Sequence, residues 1–114
     1  MWEYITKLVH ITSILRIKRG DRITSILGDQ DSCYICGRTG YLEAHHVYKG
    51  KNRKNSERYG MKVKLCAECH RGTNGVHGKN GSKLDTRLKQ EFQHLFEKQY
   101  SREKFMQVIG KNYL

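Results

Sequence analysis

Cys33-Tyr34-Ile35-Cys36 and Cys66-Ala67-Glu68-Cys69-His70, with Glu43-Ala44-His45-His46 between them, decide how this sequence is read. Each C-x-x-C pair puts two thiols on one tight turn, the arrangement that offers two sulfurs to tetrahedral zinc while backbone amides point at them. Residues 37–65, which separate the pairs, are too many for a simple ribbon, so a further element is inserted between the knuckles. A structural zinc on Cys33, Cys36, Cys66 and Cys69 is therefore expected, since redox C-x-x-C motifs do not come as such a pair. Cys66 to His70 also matches C-x-x-C-H, the attachment sequence of c-type haem. That reading needs an oxidising compartment and leaves Cys33 and Cys36 without a role.

Working outward, residues 32–81 hold all 4 cysteines, 4 of the 6 histidines and 8 of the 11 glycines, a mixture of ligands and tight turns. Tyr41 to Val47 reads as a strand after the turn from Gly37 to Gly40, and Met61 to Leu65 alternates well enough to be its return partner. Between them Tyr48 to Gly60 reads as a basic loop. Beyond Gly81 the pattern becomes helical, with Leu84, Leu88, Phe92 and Leu95 on one stripe and Ser82 and Asp85 spaced as a capping box. A second helix is expected from an N-cap at Ser101, with Phe105, Val108 and Ile109 as its buried face and Gly110 as its stop. Both helices read as a hydrophobic lid over the finger. Residues 1–31 read as an accessory arm, slightly favouring a helix, with Ile-Thr-Ser-Ile-Leu occurring at both Ile11 and Ile23. The expected organisation is thus an arm over 1–31, a zinc-stapled core over 32–80 and a helical extension over 81–114.

At 114 residues the prior is one domain, whose modest core gains from a metal staple. The 22 Lys and Arg against 11 Asp and Glu give a net charge of +11, a field that attracts polyanions and favours DNA, or RNA, as partner. The charge is not gathered on one face of a long amphipathic helix, which argues against a lipid surface. No signal peptide or membrane span is readable, so a reducing, cytoplasmic setting is expected.

His45 and His46 are adjacent on the expected strand and so point to opposite faces. One can ligate a metal while the other stands free as a base, the division of labour that metal-assisted phosphodiester hydrolysis requires. His70, after the second knuckle, and His77, beyond Gly72 and Gly75, would supply the rest of the site. His10 and His94 read as ordinary surface or core residues.

Taken together, Glu43-Ala44-His45-His46, Leu65-Cys66-Ala67-Glu68-Cys69-His70 and Gly75-Val76-His77 resemble the HNH (His-Me finger) endonuclease family, in particular compact phage and prophage members with two zinc knuckles. The resemblance covers about residues 32–78, and the C-terminal segments Phe96 to Phe105 and Gly110 to Leu114 look like the tail of such proteins. It implies an α+β fold built on a small ββα-metal, treble-clef-like finger, and a bacterial or phage-infected host cytoplasm. It implies that His45, His70 and His77 hold a catalytic divalent metal, that His46 is the general base, and that the reaction is hydrolysis of DNA. Two positions depart from the pattern. Met61 stands where the family usually has an Asn, so orientation of the base falls to another group, with Asn52, Asn55, Ser56 or a backbone carbonyl as candidates. The interval from His70 to His77 is longer than usual and requires the chain to fold back at its glycines.

Imidazole ligands favour Zn2+, Ni2+, Mn2+ or Co2+, while Mg2+ is acceptable where phosphate completes the shell. Lys49, Lys51, Arg53, Lys54 and Arg58 follow the candidate base and are expected to grip the nucleic-acid backbone. The rival reading is a non-catalytic zinc finger that binds DNA or a protein partner.

Overall fold

The computed structural model describes residues 25–114. Most of the arm expected over 1–31, with its helix-or-hairpin reading and His10, lies outside the described residues. The element order is β1 (Glu43–His46), a single 3-10 turn (Gly50–Asn52), α1 (Arg53–Tyr59), β2 (Lys62–Leu65), α2 (Ala67–Arg71), α3 (Ser82–Gln99) and α4 (Arg102–Val108). The two strands pair antiparallel, with Glu43 opposite Leu65, His45 opposite Val63 and His46 opposite Lys62. This is an α+β arrangement of a two-stranded sheet and helices.

Strand alternation divides the sheet by face. Glu43, His45, Val63 and Leu65 share one side, where His45, Val63 and Leu65 are buried. Ala44, His46, Lys62 and Lys64 share the other, which is more open. The core continues from Val63 and Leu65 through Val47, Tyr48 and Met61 to Leu88, Phe92, Leu95 and Phe96 of α3 and Phe105 and Ile109 around α4. The expected stripe on α3 is therefore the buried one, with Leu84 half-buried at its start.

The segment from Tyr48 to Gly60 differs from its expected loop form, being largely helical. Its polar side chains were the misleading signal, because they serve packing partners instead of water. Buried Ser56 accepts from the Tyr48 amide at 3.0 Å and donates to the Tyr48 carbonyl at 2.7 Å, satisfying backbone groups at the end of β1. Asn52 and Asn55 donate to the carbonyls of Ile109 and Val108 at 3.0 and 2.9 Å, oxygens left over at the end of α4. Gly60 closes α1 at φ +72°, a left-handed conformation that favours glycine. Its carbonyl receives the Ile26 amide at 2.6 Å, which ties the chain entering the described region to the start of β2.

The ends of the long helices follow the expectations in part. Ser101 caps α4 by accepting from the Lys104 amide at 3.0 Å, and Gly110 turns the chain away at φ +87°. The capping box at Ser82 and Asp85 does not form. Gly81 is the N-cap residue of α3, and Asp85 instead turns its carboxylate to Lys49 and Lys89.

Candidate metal centres

The first knuckle is a turn in which Gly37 donates to the Cys33 carbonyl at 2.9 Å and Cys33 to the Arg38 carbonyl at 2.8 Å. It is fastened to the sheet by the Tyr34 amide on the Lys64 carbonyl, and to α3 by the Tyr34 hydroxyl on Glu91 at 2.9 Å. In the second knuckle Cys66 is the N-cap of α2 and its sulfur accepts from the Cys69 amide at 3.4 Å. The four sulfurs lie within 4.8 Å of one another. A tetrahedral ion about 2.3 Å from each sulfur sets neighbouring sulfurs about 3.8 Å apart, and those of Cys36 and Cys66 are 3.7 Å apart. Burial opposes the Cys33 thiolate, yet backbone hydrogen bonds at Cys36, Cys66 and Ile35 bring its pKa down to about 6. These four cysteines form a candidate zinc site.

A second set converges on the buried face of the sheet. His45 comes from β1, His70 from α2 and His77 from the loop after it, and one ring nitrogen of each lies within 4.8 Å of the others. The three ring centroids are 4.8, 5.0 and 5.2 Å apart. An ion about 2.1 Å from each nitrogen, and so about 3.2 Å from each ring centre, would space the ring centroids by roughly 4.6 Å at right angles and roughly 5.3 Å at the tetrahedral angle, so the observed spacing fits one shared ion. Moreover, Nε2 of His45 is buried without a hydrogen-bond partner, a costly state that a bound cation would relieve.

The interval between His70 and His77 is closed by a fold-back of the chain. Val76 donates to the Cys69 carbonyl at 2.9 Å and His77 to the His70 carbonyl at 3.0 Å. Gly72, Gly75, Gly78 and Gly81 recur at every third residue, and each of the last three donates to the carbonyl of the glycine before it. A Cβ at Gly78 would collide with the Gly72 and Thr73 carbonyls, and one at Gly81 with the Gly75 carbonyl. The glycine repeat at residues 72–81 is the signal in the sequence for this coil.

Glu43 lies behind His70. Its carboxylate meets Nδ1 of His70 at 2.7 Å and takes a two-pronged contact from Arg71, at 2.6 Å for Nη2. The Arg71 contact first, and then that of His70, hold its carboxyl down to about 2. A carboxylate on Nδ1 selects the tautomer whose Nε2 lone pair faces the other imidazoles. Replacing Glu43 with Gln should therefore weaken binding at the histidine set by about 10–100-fold, measured by calorimetric titration with Zn2+ of protein already loaded at the cysteines. Unchanged affinity would assign Glu43 to Arg71 alone.

Burial, followed by the charges of His70, His77 and Lys49, pulls the pKa of His45 down to about 3, against the opposing effect of Asp85. Burial, then Lys49 and His70, also lowers that of His77. Unfolded, His45 takes up a proton at its ordinary value of 6.5; folded, it does so near 3. The unfolded chain binds more protons in that window, so without metal at this set stability should fall as pH drops from about 6.5 toward about 3. Denaturant midpoints across the window test this: the profile of His45→Gln should be flatter than that of the parent, and parallel profiles would place the acid sensitivity elsewhere.

His46 points to the opposite face and takes no part in the triad. Its Nε2 meets Oε1 of Glu57 at 2.8 Å, while Oε2 of Glu57 meets Lys62 at 3.0 Å. Burial works against the charge of Glu57, but the hydrogen bonds from His46 and Lys62 outweigh it and its pKa is lowered. Glu57, which was not among the expected residues, is thus what holds His46. Asn52, Asn55 and Ser56 are committed to the backbone, and Met61 is buried in the core. Lys51, Arg53, Lys54 and Arg58 are exposed along the 3-10 turn and α1, and Lys49 pairs with Asp85 at 3.4 Å. His94 is exposed on α3.

The described chain is thus an α+β protein with two candidate metal-ligand sets, one of sulfur and one of nitrogen. No protein-family model, curated protein or solved structure matches it. Among the described residues, no helix is long and apolar enough to cross a membrane.

Proposed function

We propose that this chain is a metal-dependent DNA endonuclease built on a zinc-stapled ββα-metal finger, as its resemblance to the HNH family implies. The finger is β1, β2 and α2, with α1 inserted between the strands. The observation that carries the reading is the contrast between neighbours: His45 has a buried, unpartnered Nε2 and brings a ring nitrogen within 4.8 Å of those of His70 and His77, while His46 is held apart by a carboxylate.

His45, His70 and His77 would hold a divalent ion, which when bound supplies Lewis-acid polarisation of a phosphate and charge stabilisation for the leaving oxygen. Three imidazoles favour Zn2+, Ni2+ or Mn2+ over Mg2+. Glu57, as an anion, can only accept a hydrogen bond, so Nε2 of His46 is the N–H donor and Nδ1 carries the lone pair. That nitrogen takes the proton of the attacking water, and Glu57 stabilises the imidazolium that forms. Glu43 fixes His70 in the ligating tautomer. Lys51, Arg53, Lys54 and Arg58 supply positive charge for the phosphate backbone, with Lys49 beside the triad.

Plasmid nicking or linearisation across Mg2+, Mn2+, Ni2+ and Zn2+, run beside metal analysis, tests the reading. An active preparation should need a second, exchangeable metal beyond the cysteine-bound zinc. One zinc per chain, with no cleavage under any of these metals, would leave a zinc-stapled module that binds DNA or protein without cutting.

A further inference from the structure

The helix α3 reads from sequence as a hydrophobic lid, yet it and the C-terminal tail carry two more cations on the side of the histidine set. Lys89 on α3 contacts Asp85 at 2.9 Å, and Lys49, just after β1, contacts the other oxygen of the same carboxylate at 3.4 Å. Lys49 follows β1, the strand that carries His45, by three residues, so this group starts close to the triad in the chain, and the charges of Lys49 and Asp85 both reach His45 and His77. Lys89 also lies 5.4 Å from the ring centroid of Tyr113, and Lys111 lies 5.2 Å from the same ring. The three ammonium groups are thus linked in a row through two shared neighbours, and Asp85 is the one carboxylate among these contacts, so it neutralises only part of their charge.

The tail that carries Lys111 is fixed in place. Gln90 donates to the Tyr113 carbonyl at 3.0 Å, the Tyr113 amide donates to buried Gln93 at 2.8 Å, and Gln93 donates to Asn112 at 2.8 Å. The Tyr113 ring rests against that of Tyr48 at 5.6 Å. Both ends of this group adjoin the basic 3-10 turn, since Lys49 is its N-cap residue and Asn52 holds the Ile109 carbonyl two residues before Lys111. Gln90, Gln93 and Asn112 spend their hydrogen-bonding groups on seating this segment, a use that helix packing alone does not require.

We infer that Lys49, Lys89 and Lys111, seated on Asp85 and Tyr113, form a phosphate track that carries a DNA strand from the histidine set across the C-terminal tail to the basic turn before α1. The inference rests on the nuclease reading and extends its contact surface beyond the basic segment 49–58. The physical reason is charge: ammonium groups held in a row, incompletely neutralised, release counterions when a phosphate backbone lies along them.

The test is binding of a short fluorescent DNA duplex over a salt series by zinc-loaded protein carrying His46→Ala, so that the probe stays intact. Lys89→Gln together with Lys111→Gln should make the slope of log affinity against log salt shallower by about two, one for each phosphate contact. Lys89→Arg with Lys111→Arg should restore it. Arg87→Gln, on the opposite flank of α3 and already paired with Glu91, should leave the slope as it was. Melting temperature and zinc content are read on every variant, because Lys89 and Lys111 also pack on Tyr113. A double Gln variant with parental fold and parental slope overturns the track, as does affinity lost at unchanged slope. If the track alone is wrong, the parent still cleaves and binds with strong salt dependence; if the nuclease reading is wrong, the parent does not cut, and a parent that also fails to bind the duplex takes the track down with it.

Discussion

Replacing His46 with Ala should slow DNA cleavage by about a hundred- to ten-thousand-fold, the usual contribution of a positioned acid–base group, with both ligand sets still loaded. The fold should tolerate the change, since His46 lies on the open face of the sheet and its ring meets the side chain of Glu57. That placement separates the proposed chemical role from the structural one: His45→Ala would disturb a buried member of the candidate metal set, whereas His46→Ala removes the proposed proton acceptor and one half-exposed contact with Glu57. Added imidazole should recover part of the rate, as a small base enters the space that the side chain vacated. Glu57→Gln should cost less, because an amide oxygen can still receive the Nε2 proton but no longer offsets the charge of the imidazolium. Parental cleavage by His46→Ala would remove the base assignment and, with it, the reason for the two adjacent histidines to face apart. Loss of activity together with loss of the second metal would instead make His46 a support of the site.

The chemistry-bearing residues were readable because their signals are local. Two C-x-x-C spacings, a period-two strand and a histidine after the second knuckle each announce themselves within a few residues, and the structure brings those groups together. What could not be read depends on pairings far apart in the chain. The segment 48–60 looked like a loop because Asn52, Asn55 and Ser56 are turn-forming types, and nothing nearby reveals that they serve the end of α4 and the end of β1. Once that segment is a helix, Glu57 reaches His46, so the group that holds His46 is hidden in sequence along with the helix. Glu43 was within reach: it sits two residues before His45, and alternation puts both on one face. The apolar stripe of α3 reads as a lid, but a stripe accounts for one side of a helix and leaves the flank of Asp85 and Lys89 unexplained.

Loss of the cysteine-bound metal should be the most damaging single change, unfolding the protein and not merely trimming its stability. The sheet has two strands of 4 residues each, and an isolated two-stranded pairing is marginal in water. The knuckles anchor it from outside, through Tyr34 on Lys64 and through Cys66 as the N-cap of α2. Zinc binding to small finger peptides is worth about 10–16 kcal/mol, as much as the total of about 5–15 kcal/mol for an ordinary domain, so a chain that carries zinc at these cysteines should fall on the unfolded side without it. Cys33 and Cys66 are nearly inaccessible, at 3% and 2% exposure, while Cys36 is exposed. Cys66→Ala should therefore abolish cooperative urea unfolding, and Cys36→Ser should weaken zinc binding with less harm to packing. The dependence between centres should run one way. Cys66 and Cys69 flank the start of the short helix that bears His70, so losing the thiolate site scatters the imidazoles. Removing His45 or His77 leaves the sulfurs where they are. Zinc content, far-UV circular dichroism and titration of the second site on these variants decide the matter. A Cys66→Ala protein that unfolds cooperatively at the parental urea midpoint and still binds metal at the histidines would show that the knuckles do not hold the finger together.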